Sequence, residues 1–352
     1  MKILIVKVSA LGDVIHSLPV LAYLHSVDLS SEGGQSLQID WLIEEGFAPI
    51  LDGHPLIRRV IPLKTKRWRS LSPLSMLKEI VSFTKEFRQQ KYDFVFDLQG
   101  NSKSGLFTRL SRSSKRYGFD RHNVREWPNL LATNHRVHLS EHDHHVSQRS
   151  LAVVAAALPN GTERIKAGPL HVLDVAREQV RQQLEQLGLS QKKLAVLHYG
   201  TTWKTKLWNL ESWQQLAIQL VNNTEIIPLL TWGNDDEHHA AQKISQATDG
   251  KAIIWPRGIL PELVALLARA DIVVGCDTGP IHIAAALATP TVSVFRVTDA
   301  TRNAPLDINH RSLQSTLSCS PCLLKQCERD DECSKSIHVE DVYRSILELI
   351  DN

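Results

Sequence analysis

Near the amino end one carboxylate, Asp13, follows Gly12 in a turn that the apolar run Ile3-Leu-Ile-Val6 leads into. Four consecutive apolar residues read as a buried parallel strand, and ligands of open α/β sheets gather at the carboxyl ends of such strands. Asp13 therefore stands where it can act as an acid or base toward a substrate. The same position suits a helix cap, for which Asp is a favoured residue. Further along, Asp277-Thr-Gly-Pro-Ile-His282 follows another apolar run and opens an Ala-rich helix. The amides of Thr278, Gly279 and Ile281 at such a helix start attract anions, because unsatisfied N–H groups and the helix dipole act together. The loop Thr201-Thr-Trp-Lys-Thr-Lys206 offers the hydroxyls of Thr201 and Thr202 and the charges of Lys204 and Lys206, a set suited to a pyrophosphate. Trp232-Gly-Asn-Asp-Asp-Glu237 brings a carboxylate to the height at which ribose hydroxyls are bound, although acidic first turns are also good helix starts.

Three further clusters stand out. Six basic residues and no acidic one lie between Arg58 and Arg69, namely Arg58, Arg59, Lys64, Lys66, Arg67 and Arg69. They suit phosphates, an anionic lipid surface or an acidic glycolipid, or else form a solvated basic loop. Cys319, Cys322, Cys327 and Cys333 read as a structural metal site, as free or redox-labile thiols, or as disulfides. Cys276 stands apart and reads as a small buried hydrophobe. His135, His138, His142, His144 and His145 are explained by a polar surface loop at least as well as by a metal. No G-x-G-x-x-G, Walker A or G-x-S-x-G pattern is present. That argues against a nicotinamide enzyme, a phosphate-cleaving ATPase and a serine hydrolase of the elbow type.

The elements that must hold these residues alternate. Strands are expected over 3–6, 37–43 and 92–98, with helices over 74–88 and 102–112. The second half repeats this with strands over 193–198, 225–231, 252–255, 272–275 and 291–295. Helices are expected over 172–187, 210–221, 237–247, 260–270, 281–287 and 339–350. Such alternation implies parallel sheets with right-handed crossovers. With 352 residues the chain suits two Rossmann-like domains facing across a cleft, split near 167–169. A net charge of +2 with 22% charged residues does not suggest nucleic-acid binding. No apolar run approaches the roughly 20 residues a transmembrane helix needs. Lys7 and Asp13 interrupt the apolar start as no secretory signal would, so a cytoplasmic location is expected.

Taken together, these motifs resemble the bacterial lipopolysaccharide heptosyltransferases, glycosyltransferase family 9, over nearly the whole chain. The resemblance is carried by residues 7–19, by Asp97-Leu-Gln-Gly100, by Lys206 with Trp208, and by residues 277–282. Asp40-Trp-Leu-Ile-Glu-Glu-Gly-Phe47 and Lys66-Arg-Trp-Arg69 look like the heptosyltransferase I branch, which attaches the first heptose to Kdo of the lipid A inner core. The resemblance implies a GT-B fold with an acceptor-binding domain over 1–168 and a donor-binding domain over 169–352, the last helix packing back on the first domain. It implies ADP-heptose as donor, Kdo2-lipid A as acceptor and inversion at the anomeric carbon, with no cofactor needed for catalysis. Asp13 matches the general base and Lys206 the lysine at the donor phosphates. Thr201, Thr202, Glu237, Asp277, Thr278, Gly279 and His282 match the donor site. Lys64, Lys66, Arg67 and Arg69, together with Gln99 and Lys103, fall on the acceptor side. A peripheral place on the cytoplasmic face of the inner membrane follows, with no nucleic-acid partner.

Three departures qualify the match. Arg296 and Val297 stand where relatives carry Gly-Pro, which alters the donor pocket. The cysteine loop is more like that of heptosyltransferase II. The 200–206 loop is a residue longer, so that Lys204 can substitute for Lys206. The alternatives are another family member with a different acceptor, such as heptosyltransferase II or a protein heptosyltransferase, a sugar-nucleotide epimerase on the same scaffold, and a non-catalytic lipid A-binding protein.

Overall fold

The computed structural model describes residues 1–27, 36–159 and 168–350. Its chain forms two compact units that part around residues 168–172. Of the split expected near 167–169, residue 167 lies outside the described residues.

The first unit holds strands β1 (Lys2–Val6), β2 (Gln38–Glu44), β3 (Arg59–Leu63), β4 (Phe94–Asp97), β5 (Arg116–Phe119) and β6 (His135–Val137). The second holds β7 (Lys193–His198), β8 (Ile226–Thr231), β9 (Ile253–Ile254), β10 (Ile272–Cys276), β11 (Thr291–Phe295) and β12 (His310–Gln314). The sheets run in the orders β3-β2-β1-β4-β5-β6 and β12-β11-β10-β7-β8-β9. Every pairing in both is parallel. Each sheet is thus the doubly wound order 3-2-1-4-5-6, with its strand order reversing between β1 and β4 and between β7 and β10.

The central strands form because they are apolar on both faces. Ile3 to Val6 of β1 and all of β10 are buried, as parallel sheets covered on both sides require. The edges differ. Residues 58–69, read from the sequence as one basic loop, instead supply edge strand β3 and the helix Thr65–Ser70. Edge strands favour charge, which keeps their open hydrogen-bonding groups from pairing with other chains. The same applies to β6, which takes up His135 from the histidine-rich segment.

In the first unit Leu4, Val6, Leu42 and Val95 pack with an aromatic group of Trp68, Phe83, Phe87 and Phe107. In the second, Trp208 and Trp213 meet edge to face at 5.4 Å within the core. The terminal helix Val339–Ile350 buries its apolar stripe of Val339, Val342 and Ile346 in the core of the second unit.

Asp40 on β2 is fully buried and would be costly to ionise without partners. Arg58 grips it in two-pronged fashion at 2.6 and 2.9 Å, Tyr92 donates its hydroxyl at 2.8 Å, and Arg59 lies at 3.6 Å. Two of the six basic residues of the 58–69 stretch therefore anchor the sheet edge. Asp40→Ala is expected to destabilise the protein by about 2 kcal/mol, less than for a fully buried pair because Arg58 is partly solvated. Urea unfolding at neutral pH measures this, and an unchanged midpoint would refute the anchoring role.

Candidate active site

At the reversal point of the second sheet, two neighbouring strands send their loops together. After β7 the chain passes Gly200 and Thr201 and makes a short turn, Lys204–Lys206. After β10 it enters the helix Gly279–Ala286, with Thr278 at its cap and Pro280 in its first turn. A single ion pair joins the loops: Lys206 Nζ lies 2.7 Å from Asp277 Oδ2 and donates also to the Asp277 carbonyl at 3.3 Å. His282, one turn into the helix, places Nε2 at 3.1 Å from Asp277 Oδ1. Burial alone would raise the Asp277 carboxyl. The hydrogen bond from His282 and the charges of His282 and Lys206 outweigh it and hold the group well below the usual carboxylate range. The Thr278 hydroxyl is buried and makes no hydrogen bond. Lys204 is exposed while Lys206 is the lysine on Asp277, which favours Lys206 between the two candidates.

Glu237 closes this region from the β8 side. Its carboxylate accepts the Gly233 amide at 2.6 Å and the Asn234 side-chain amide at 2.8 Å. A Cβ on Gly200 would lie 2.3 Å from Glu237 Cδ, so only glycine lets the carboxylate rest against the β7 loop. The sequence reading gave no role to Gly200, and its sole signal was its place directly after a strand. Thr201 is half-buried and Thr202 exposed. Cys276 behaves as read: burial pushes its thiol up to about 11, and its sulfur accepts the Trp208 amide at 3.3 Å.

The reversal point of the first sheet is stitched differently. Asp13 is the third residue of the helix Leu11–Ile15, half-buried, and its carboxylate accepts the Ala10 amide at 3.3 Å. Gln99, after β4, accepts the amides of Val8 and Ser9 at 3.0 Å each through its side-chain oxygen. Through these bonds the buried oxygen of Gln99, one of the acceptor-side candidates, fixes the turn that leads to Asp13. Buried Asp97 in turn accepts the Gln99 and Gly100 amides at 3.1 and 3.0 Å.

The remaining acceptor candidates divide. Lys103 is bonded to Glu44 at 2.5 Å, and Glu44 also accepts the Thr65 hydroxyl. Arg67 pairs with Glu79 at 2.7 Å, and Lys64 lies 4.0 Å from Glu45. Lys66 and Arg69 are exposed and have no carboxylate partner among the described residues. Beside them is a cavity of about 310 Å³ lined by Arg59, Lys64, Arg67, Trp68, Glu79 and Phe83, among others.

The four-cysteine metal set is not assembled. All four thiols are free, Cys319 is exposed, and Cys333 is buried with its thiol 3.3 Å from the Ser315 hydroxyl. Among the described residues no three Cys, His, Asp or Glu side chains converge as metal ligands. Local contacts account for three of the crowded histidines. His135 stacks on Tyr117, His138 meets Asp120 at 2.7 Å, and His145 accepts the Ser147 amide at 3.2 Å. Arg296 does not line an open pocket: it is 1% exposed and donates to the Leu207 carbonyl and to Asp330.

Twin doubly wound sheets, one with a cationic turn and a helix start at its reversal point, define an α/β protein equipped to receive an anion. Residues 80–332 match the model of glycosyltransferase family 9 (heptosyltransferase). The chain is 34% identical over 328 residues to a lipopolysaccharide heptosyltransferase 1 of Pseudomonas aeruginosa, covering 93% of this chain and 87% of that protein. It superposes on a structure of Escherichia coli heptosyltransferase WaaC with ADP at a TM-score of 0.77 and 26% identity, over 99% of this chain and 100% of that one. A structure of the same enzyme with ADP-2-deoxy-2-fluoro heptose gives 0.74 and 27%, over 99% of each chain. The chain belongs to glycosyltransferase family 9 and is a glycosyltransferase.

Because the Asp277 pKa is depressed by folding, its contribution to stability is complete above the unfolded value, roughly pH 4, and is lost as pH falls below it. The stability difference between wild type and Asp277→Asn is therefore expected to be largest near neutrality and to shrink below about pH 4. Chemical denaturation across pH measures it. A difference that stays constant into acid would contradict the ionised cluster.

Proposed function

We propose that this chain moves L-glycero-D-manno-heptose from ADP-heptose to Kdo of the lipopolysaccharide inner core, as a heptosyltransferase of the first-heptose type, with inversion at the anomeric carbon and a GT-B arrangement of its two units. Support for the donor comes from the buried Lys206–Asp277–His282 cluster at the start of the Gly279–Ala286 helix, the observation that carries this reading. The similarity to heptosyltransferases named for lipopolysaccharide, one of them solved with ADP, points the same way.

The chemistry divides between the units. In the second, Lys206 and the first-turn amides take up the negative charge that grows on ADP as the bond from the anomeric carbon to the phosphate oxygen breaks. Such preorganised charge contributes on the order of a few kcal/mol per donor. Thr201, Thr202 and Thr278 supply hydroxyls to the phosphates, and Glu237 receives the ribose. In the first unit, Asp13 takes the proton of the Kdo hydroxyl as its oxygen attacks the anomeric carbon from the opposite face. Gln99 serves as the positioning residue that sets the Asp13 turn. Lys66 and Arg69 are the cations best placed to meet Kdo carboxylates or lipid A phosphates, while Lys64, Arg67 and Lys103 must leave or share a carboxylate to do so.

The helix Pro73–Phe87 supports peripheral contact with an anionic membrane. At about 3.6 residues per turn, exposed Leu74, Leu77 and Val81 share one face with Lys78, Lys85 and Arg88, and no acidic residue interrupts it. Apolar residues flanked by lysine and arginine fit an anionic lipid surface. Among the described residues no helix is long and apolar enough to cross a membrane.

Asp13→Asn is expected to bind ADP like wild type while losing about 10²–10⁴-fold in turnover of ADP-heptose with Kdo2-lipid A. The mono-heptosylated acceptor should serve wild type poorly, and equal use of both acceptors would refute the first-heptose assignment. Leu77→Glu with Val81→Glu should sharply reduce co-sedimentation with anionic vesicles while leaving ADP binding intact. Undiminished sedimentation would remove this helix face from the membrane contact.

A further inference from the structure

The loop that carries the four cysteines is tied to the donor turn at several points. The Thr205 hydroxyl donates to the Leu324 carbonyl at 2.7 Å. Buried Arg296 bridges the Leu207 carbonyl, directly after Lys206, and Asp330 at the far end of the loop. The Arg296 carbonyl accepts the Ser320 hydroxyl at 2.5 Å, and the Val297 carbonyl accepts the amides of Cys322 and Leu323 at 3.1 and 2.9 Å. The two residues that depart from the family pattern thus fasten the loop to the second sheet.

Fastening the loop brings a lysine to the site. Lys325 Nζ lies 5.0 Å from the centre of the Trp203 ring, and Lys206 Nζ lies 5.2 Å from the same centre. Two ammonium groups are therefore gathered at one indole, each favoured by the electron-rich face of the ring. Lys206 is compensated by Asp277, whereas Lys325 is exposed and has no carboxylate partner among the described residues. A ligand carrying more than one negative charge beside Trp203 would meet both ammonium groups, and a diphosphate has the charge to do so.

We propose that Lys325 is a second cation of the donor site, binding the diphosphate of the nucleotide beside Lys206, and that the cysteine loop is the element that presents it. The proposal rests on the reading of this site as one for an ADP-sugar. It gives Arg296, Val297 and Thr205 a positioning task, holding the loop, and requires no metal ligand among the cysteines.

Calorimetric titration of the full chain with ADP and with adenosine separates the possibilities. Lys325→Ala is expected to weaken ADP about tenfold, with the unfolding temperature unchanged and adenosine affinity equal to wild type. Lys325→Arg should restore most of the loss. Equal ADP affinity in Lys325→Ala and wild type would overturn the proposal while leaving the donor reading intact, and so would a loss shared equally by adenosine. A wild-type protein that binds no ADP would instead overturn the donor reading itself.

Discussion

A carboxylate with 6% of its surface exposed, Asp277, sets the terms for the whole second unit. A buried charge is tolerable only when paired and hydrogen-bonded. Two side chains meet it, His282 from the helix that follows and Lys206 from the neighbouring loop after β7. The strand order makes the meeting inevitable, because β7 and β10 lie side by side only where the sheet reverses direction. Lys206 is thereby held close to a helix start at which amides without intrahelical partners are directed outward. Meeting the burial demand of one acid leaves a cationic turn ready for an anion. Structural need and proposed chemistry rest on the same three side chains.

The first unit solves a related problem with a neutral residue. Its reversal point lies between β1 and β4, and the loops there are joined by the side-chain oxygen of Gln99 on two consecutive amides. Among the described residues no cation pairs with Asp13, which is half-buried and whose carboxylate accepts a local amide. That difference suits the proposed roles. A group meant to accept a proton gains from being free of a permanent positive partner, whereas a group meant to orient a lysine gains from being locked to it.

Much of this was legible in the residues. Parallel strands buried on both faces appear as uninterrupted apolar runs, so β1, β7, β10 and β11 were read within a residue or so of their ends. The site turns followed because glycine, threonine and aspartate stand directly after those runs. Strands β3, β5, β6 and β12 were missed: the short apolar run of β3 is embedded among Arg58, Arg59 and Lys64, and Arg116, His135 and Arg311 interrupt the others. Charge partners were also hidden. Arg58 and Arg59 belong to Asp40, and Lys103 belongs to Glu44, through contacts that only pairing of the strands creates. Of the three readings that the cysteine spacing left open, the free thiols are the one the structure has, in a loop tied down by Arg296, Val297 and Thr205.

The claim on which everything else depends is that Asp277 acts on the nucleotide through Lys206. A double-mutant cycle tests it, with ADP dissociation constants measured for wild type, Lys206→Ala, Asp277→Asn and the double variant. The account predicts strong non-additivity: once Asp277 no longer holds the lysine in place, removing Lys206 adds little further loss. Losses that simply add would mean that the two side chains bind the nucleotide independently, and the account would be wrong.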